Sequence, residues 1–134
     1  MRPPRAWPQR GEGDRNLSIE VVHTGQGERS AHVVVAGDLN DTPGSPPLAF
    51  LEATSLKDAM THGSYEGPPG THGKCTNLND KIDYLMFSPE LFAKVDTVEV
   101  ERRGIFESGT PFDTVNGPDD QASDHAAIVA ELDL

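Results

Sequence analysis

Hydrophobic positions in this chain come in short clusters, separated by long polar stretches rich in Gly and Pro, and each cluster carries its own period. Leu17-Ser18-Ile19-Glu20-Val21-Val22 alternates well enough to predict a half-buried strand. His32-Val33-Val34-Val35-Ala36 is a short β-branched run stopped by Gly37, the pattern of a strand covered on both faces. Ser45-Pro46-Pro47-Leu48-Ala49-Phe50-Leu51 predicts a helix with Ser45 as N-cap and Pro46 in the first turn. Leu48, Phe50 and Leu51 are expected to form its buried side. Further strands are expected over Ile82 to Ser88, Val95 to Val100 and Ala126 to Leu132. Two long loops, His62 to Asp80 and Arg103 to Ala122, exceed ordinary connections and suggest a site between them. Residues 1–16 lack any period and read as disordered, so the ordered domain is expected over residues 17–134. Strands outnumber helices in an α/β chain.

Composition narrows the picture. With 134 residues, of which 35% are hydrophobic and 6% aromatic, the chain makes one domain with an economical core. Its single cysteine, Cys75, excludes an intramolecular disulfide framework and a multi-cysteine zinc site. No apolar stretch approaches a membrane span. Met1 to Arg10 is basic without a following apolar segment, so no signal peptide is read and the compartment defaults to cytoplasm. A formal net charge of −11 argues against stable, sequence-independent nucleic-acid binding, which needs positive charge to displace counterions. A nuclease is still compatible with that charge if a bound cation dominates its site, although compact phosphoesters fit better.

Three strings place charge where charge is costly unless paired or used. In Gly37-Asp38-Leu39-Asn40-Asp41, Asp38 and Asn40 lie two apart at the end of a predicted strand, hence on one side of it. Such a pair can take the proton of an attacking water and donate to a phosphate oxygen. A strand–turn–helix junction is the plainer use of the same residues, whereas a calcium loop fails on Pro43 and Ala49 at its sixth and twelfth positions. Asp83, in Lys81-Ile82-Asp83-Tyr84, shares a strand face with Leu85 and Phe87 and needs a fixed partner. His125, in Ser123-Asp124-His125, is the natural one: a carboxylate on one ring nitrogen sets the tautomer and turns the other toward substrate. The alternative for Asp83 is a structural cap before an edge strand. Asp124, where the backbone still turns into the last strand, can reach a divalent ion. A Ser–His–Asp hydrolase built on Ser123 is not supported, because no Gly-x-Ser-x-Gly elbow occurs. Among basic groups near these strings, Lys74 and Lys81 could bind phosphate, and Lys81 is the better candidate. His62, His72 and Cys75 are expected to be solvated loop residues, Tyr65 and Phe112 to cover a core edge, and Arg102 and Arg103 to form a solvated strand end.

In this order, and with Asp41-Thr42-Pro43, Ser45-Pro46 and Ser88-Pro89 nearby, the three strings resemble the C-terminal half of the endonuclease/exonuclease/phosphatase superfamily over Ala31 to Leu134. The resemblance implies in-line hydrolysis of a phosphodiester or phosphomonoester, in a small molecule or a nucleic acid, with no covalent intermediate. It further implies that Asp38 and Asn40 orient the water and stabilise the transition state. Asp83 would support His125, which contacts the scissile phosphate, and Asp124 would belong to a Mg²⁺ or Mn²⁺ site. The implied fold is a four-layer α/β/β/α sandwich. Here it is expected mainly as one mixed sheet with a flanking helix, the first sheet missing or shortened, because only about thirty residues precede the first motif strand. In the family that first half supplies an Asn and a Glu to the metal. Asn16 and Glu20 are available but stand in no family context, and His23 has only a weak claim on the site. The chain is therefore expected to be a truncated phosphoesterase with little turnover by itself. The alternative is an inactive remnant serving, if anything, as an acidic interaction module.

Overall fold

The computed structural model describes residues 32–134. The strand expected over Leu17 to Val22, the disorder expected over residues 1–16, and Asn16, Glu20 and His23 all lie outside that range. The principal elements run β1 (Val34–Asp38), α1 (Pro46–Ala53), β2 (Lys57–Asp58), β3 (Asp83–Phe87), α2 (Pro89–Phe92), β4 (Val95–Glu101) and β5 (Ala127–Leu132), with short 3₁₀ turns in the loops. This is a mixed α/β arrangement with few helices.

β3 is the centre of it. It pairs antiparallel with β1 on one edge, from Val34 opposite Phe87 to Asp38 opposite Asp83, and with β2 on the other. Because side chains alternate along a strand, its two faces serve different partners. Tyr84 and Met86 face one way and pack with Val35 of β1 and with Leu48 of α1, which is fully buried. Phe87 and Leu85 face the other way, into a cluster with Leu91, Val95, Val98, Ile128, Ala130 and Leu132. The helix and the β4–β5 ladder thus cover opposite sides of the three-stranded sheet.

Two expectations need correction. The strand beginning at Ala126 was expected in one mixed sheet with β1 and β3. Instead β5 pairs antiparallel with β4 in a separate two-stranded ladder, and every ladder among the described residues is antiparallel. β1 and β2 occupy both edges of β3, and β5 meets it through side chains. The helix starts at Ser45-Pro46 as read, but Phe50 is 71% exposed. Two residues beyond Leu48 lie about 200° around a helix, on the opposite face, whereas Leu51 at three residues shares the buried side.

The loop from His62 to Asp80 is knitted into the sheet ends at its buried centre, Gly70, Thr71 and Cys75. Thr71, fully buried, accepts from the backbone N–H groups of Ile82 and Asp83 through its hydroxyl, while its carbonyl accepts from Ala126 N–H at 2.7 Å. Cys75 is buried too, and burial pushes its thiol pKa up. At Gly70 the chain passes so close to Cys75 that a Cβ would lie 2.5 Å from the Cys75 Cα. Arg102, read as a solvated strand end, donates to the carbonyls of Pro68 and Gly70 and to the Tyr65 hydroxyl. It ties the loop to the end of β4.

Candidate active site

The two-residue period of β1 and β3 builds the site. Asp38 and Asp83 are register partners, so their side chains leave the sheet on the same face, the one that carries Leu85 and Phe87 and looks toward β5. Two carboxylates directly opposite one another repel and need a positive or proton-donating neighbour. His125, just before β5, supplies it. Its Nδ1 lies 3.0 Å and 2.9 Å from the two carboxylate oxygens of Asp83. Carboxylate oxygens of Asp38 and Asp83 and a ring nitrogen of His125 all fall within 4.8 Å of one another. The Thr71 hydroxyl donates to Asp83 Oδ2 at 2.8 Å, so the carboxylate is held from two sides and cannot swing from the imidazole.

With Nδ1 donating to Asp83, the Nε2 of His125 carries the lone pair of the neutral ring. Burial works against charging this imidazole. The Asp83 hydrogen bond and the charges of Asp83, Asp38 and Asp124 outweigh it, and the pKa stands above its ordinary 6.5. A pKa raised on folding means that protonated His125 stabilises the folded state fully below the unfolded value, and that this contribution is lost as pH rises through the folded value. A proton NMR titration of the His125 ring in chelator should therefore give a midpoint above 6.5, brought down by Asp83→Asn. A wild-type midpoint at or below 6.5 would contradict the pairing.

Asp38 Oδ1 also accepts from the Asn40 N–H at 2.8 Å, a tight Asx turn. Asn40 is exposed and has φ +53°, a left-handed conformation that Asn tolerates better than most residues. Strand alternation therefore stops before Asn40, and the expectation that it repeats the direction of Asp38 does not follow from the strand. Asp124 stands at the exposed rim, its side chain 56% accessible, with Oδ1 3.8 Å from His125 Nε2. Desolvation works against its ionisation, but the hydrogen bonds from His72 and from its own backbone hold its pKa below the usual carboxylate value.

Lys81 departs from its assignment. It is 5% exposed, and its ammonium is paired with the equally buried Asp58 at 2.9 Å, above the Tyr84 ring and within 3.1 Å of the Asp83 carbonyl. A lysine so enclosed holds the start of β3, its charge already matched by Asp58. His72 departs in the other direction. Its Nε2 is 3.0 Å from Asp124 Oδ2, and its ring lies 4.6 Å from that of His125, centroid to centroid. A single histidine in a Gly-rich loop gave no period or spacing to reveal this, since its partner Asp124 is 52 residues away.

A cleft of about 570 Å³ between the Ser64 to Pro68 segment and β4 lies apart from this cluster; Tyr65, Val98 and Arg102 are among its walls. Among the described residues no helix is long and apolar enough to cross a membrane.

Against known proteins, the profile of the Endonuclease/Exonuclease/phosphatase family matches residues 1–125. The chain belongs to that family, and the match reaches back beyond Ala31, where the motif resemblance begins. No curated protein and no solved structure matches it.

Proposed function

We propose that the protein is a divalent-metal-dependent phosphoesterase that hydrolyses a phosphodiester or phosphomonoester by direct attack of water, with Asp38, Asn40, Asp83 and His125 as its catalytic groups. The observation that carries this reading is the three-way meeting of Asp38, Asp83 and His125 on one sheet face. Two facing carboxylates and an imidazole locked in one tautomer are an arrangement that proton transfer and phosphate binding can use. Membership of the family supports the reaction class. Our reading makes residues 17–134 the C-terminal half of a four-layer α/β/β/α sandwich, and the helix, the three-stranded sheet and the β4–β5 ladder stacked on one another support it within the described residues 32–134.

The roles are those that the family resemblance implies for these residues. Asp38 accepts the proton of the attacking water and Asn40 donates to a phosphate oxygen. His125 Nε2, held in place by Asp83 through Nδ1, contacts the scissile phosphate and is protonated readily because of that carboxylate. Asp124 holds the divalent cation. A solvent-open carboxylate suits Mg²⁺ or Mn²⁺, which take oxygen donors and keep several waters. When bound, such an ion neutralises charge on the phosphoryl oxygens and on the leaving oxygen. The acidic surface, at a net charge of −11, favours a compact phosphoester over extended nucleic acid.

Hydrolysis of bis(4-nitrophenyl) phosphate and of 4-nitrophenyl phosphate in the presence of Mg²⁺ or Mn²⁺ tests the proposal. Slow turnover that a chelator abolishes is expected, slow because among the described residues only the Asp124 carboxylate is assigned to the ion, which is then mostly held by water. Turnover unchanged by chelator would overturn the metal role.

A further inference from the structure

His72 has no part in the reaction just described, yet the fold brings it to the same rim by a specific backbone device. His72 and His125 form an isolated antiparallel bridge, so they are directly opposed, with side chains on one side. The contact is fastened on both sides, by Ala126 N–H to Thr71 carbonyl at 2.7 Å and by Gly73 N–H to Asp124 carbonyl at 2.8 Å. Asp124 completes a triangle: its Oδ2 is 3.0 Å from His72 Nε2, its Oδ1 is 3.8 Å from His125 Nε2, and one donor atom from each residue falls within 4.8 Å of the other two.

We propose that His72, Asp124 and His125 form a binding site for a borderline transition-metal cation of the Zn²⁺ class. Two imidazoles and a carboxylate are the donor set that such ions prefer and Mg²⁺ does not. Metal–nitrogen bonds of about 2.0–2.1 Å put tetrahedral ligand atoms roughly 3.3 Å apart, so the observed spacings close on an ion with side-chain adjustments alone. The outer contact is already present. His125 gives Nδ1 to Asp83, as metal-bound histidines commonly give their second nitrogen to a carboxylate, and this aims the Nε2 lone pair at the site. Three protein ligands leave the fourth position open to water. Binding does not depend on the phosphoesterase reading. Its consequence does: an ion here takes His125 Nε2 from the phosphoester and Asp124 from the Mg²⁺ or Mn²⁺ ion, so Zn²⁺ inhibits.

The test is binding to the full chain, read without turnover. On adding Zn²⁺ to wild-type protein, the ring nitrogen resonances of both His72 and His125 should shift together. Co²⁺ in its place should give the visible absorption of a low-symmetry four- or five-coordinate ion. His72→Ala, and His72→Gln, which retains an amide donor for Asp124, should each weaken Zn²⁺ at least about tenfold while changing Mg²⁺ affinity by less than about twofold. His62→Ala, outside the cluster, should leave both unchanged. The inference is overturned if Zn²⁺ shifts neither imidazole in the wild type, if both His72 variants bind Zn²⁺ as the wild type does, or if Zn²⁺ and Mg²⁺ affinities fall together. The last result would reduce His72 to a support for Asp124. An inactive protein that still binds Zn²⁺ this way would sink only the phosphoesterase reading.

Discussion

Replacing His125 by alanine is expected to lower metal-dependent phosphoester turnover by about a hundredfold to ten-thousandfold, the range for positioned acid–base groups and charge stabilisers. Asp38→Asn should fall in the same range, because the amide keeps the shape and loses the base. Asp83→Asn should cost less than His125→Ala. It disturbs the tautomer and basicity of the imidazole but leaves the ring in place, with Thr71 still available to hold the residue at position 83. The order of the three variants is what steady-state kinetics must reproduce. A loss in Asp83→Asn larger than in His125→Ala would mean that Asp83 acts on substrate directly and not through the imidazole.

The largest expected effect on stability comes from a pair that takes no part in chemistry. Asp58 and Lys81 meet at 2.9 Å with side chains only 6% accessible each. Removing one partner of such a pair leaves an uncompensated buried charge and costs about 3–5 kcal/mol. Asp58→Ala also deletes the acceptor that caps the turn after β2 through the Met60 N–H. We expect Asp58→Ala to lower the thermal midpoint by on the order of 10 °C or more. The double change Asp58→Leu with Lys81→Met should recover most of it, since apolar replacement of a whole buried pair is often neutral. Denaturant unfolding checks both. A single variant as stable as wild type would mean that water reaches the pair.

Sequence pattern carried the fold where one residue type repeats and failed where a partner is remote. The β-branched run ending at Gly37 and the alternation after Ile82 placed β1 and β3, because burial on both faces writes itself into consecutive residues. The same alternation put Asp83 on the Leu85 and Phe87 side, the side on which His125 meets it. What the pattern could not supply was edge occupancy. β2 is two residues long and carries no period, yet it takes the second edge of β3, while β5 pairs with β4 in its own ladder. The pairing of Lys81 is not legible for a related reason: its counter-ion sits on that short strand, 23 positions earlier, with no signal between them. Burial of Cys75 and the bonding of Arg102 are not legible because Gly- and Pro-rich sequence is usually solvated, whereas this loop is anchored through Thr71 and Arg102 to the sheet ends. Phe50 was legible and misread, since helical geometry alone places it away from Leu48.

The measurement that bears most directly on the central claim is the initial rate of bis(4-nitrophenyl) phosphate hydrolysis by the wild type and by His125→Ala, each with Mn²⁺ and with chelator. A wild-type rate that requires metal and falls at least about a hundredfold in the variant is the predicted result. Equal metal-dependent rates in the two proteins, or no wild-type turnover of any phosphomonoester or phosphodiester, would contradict it.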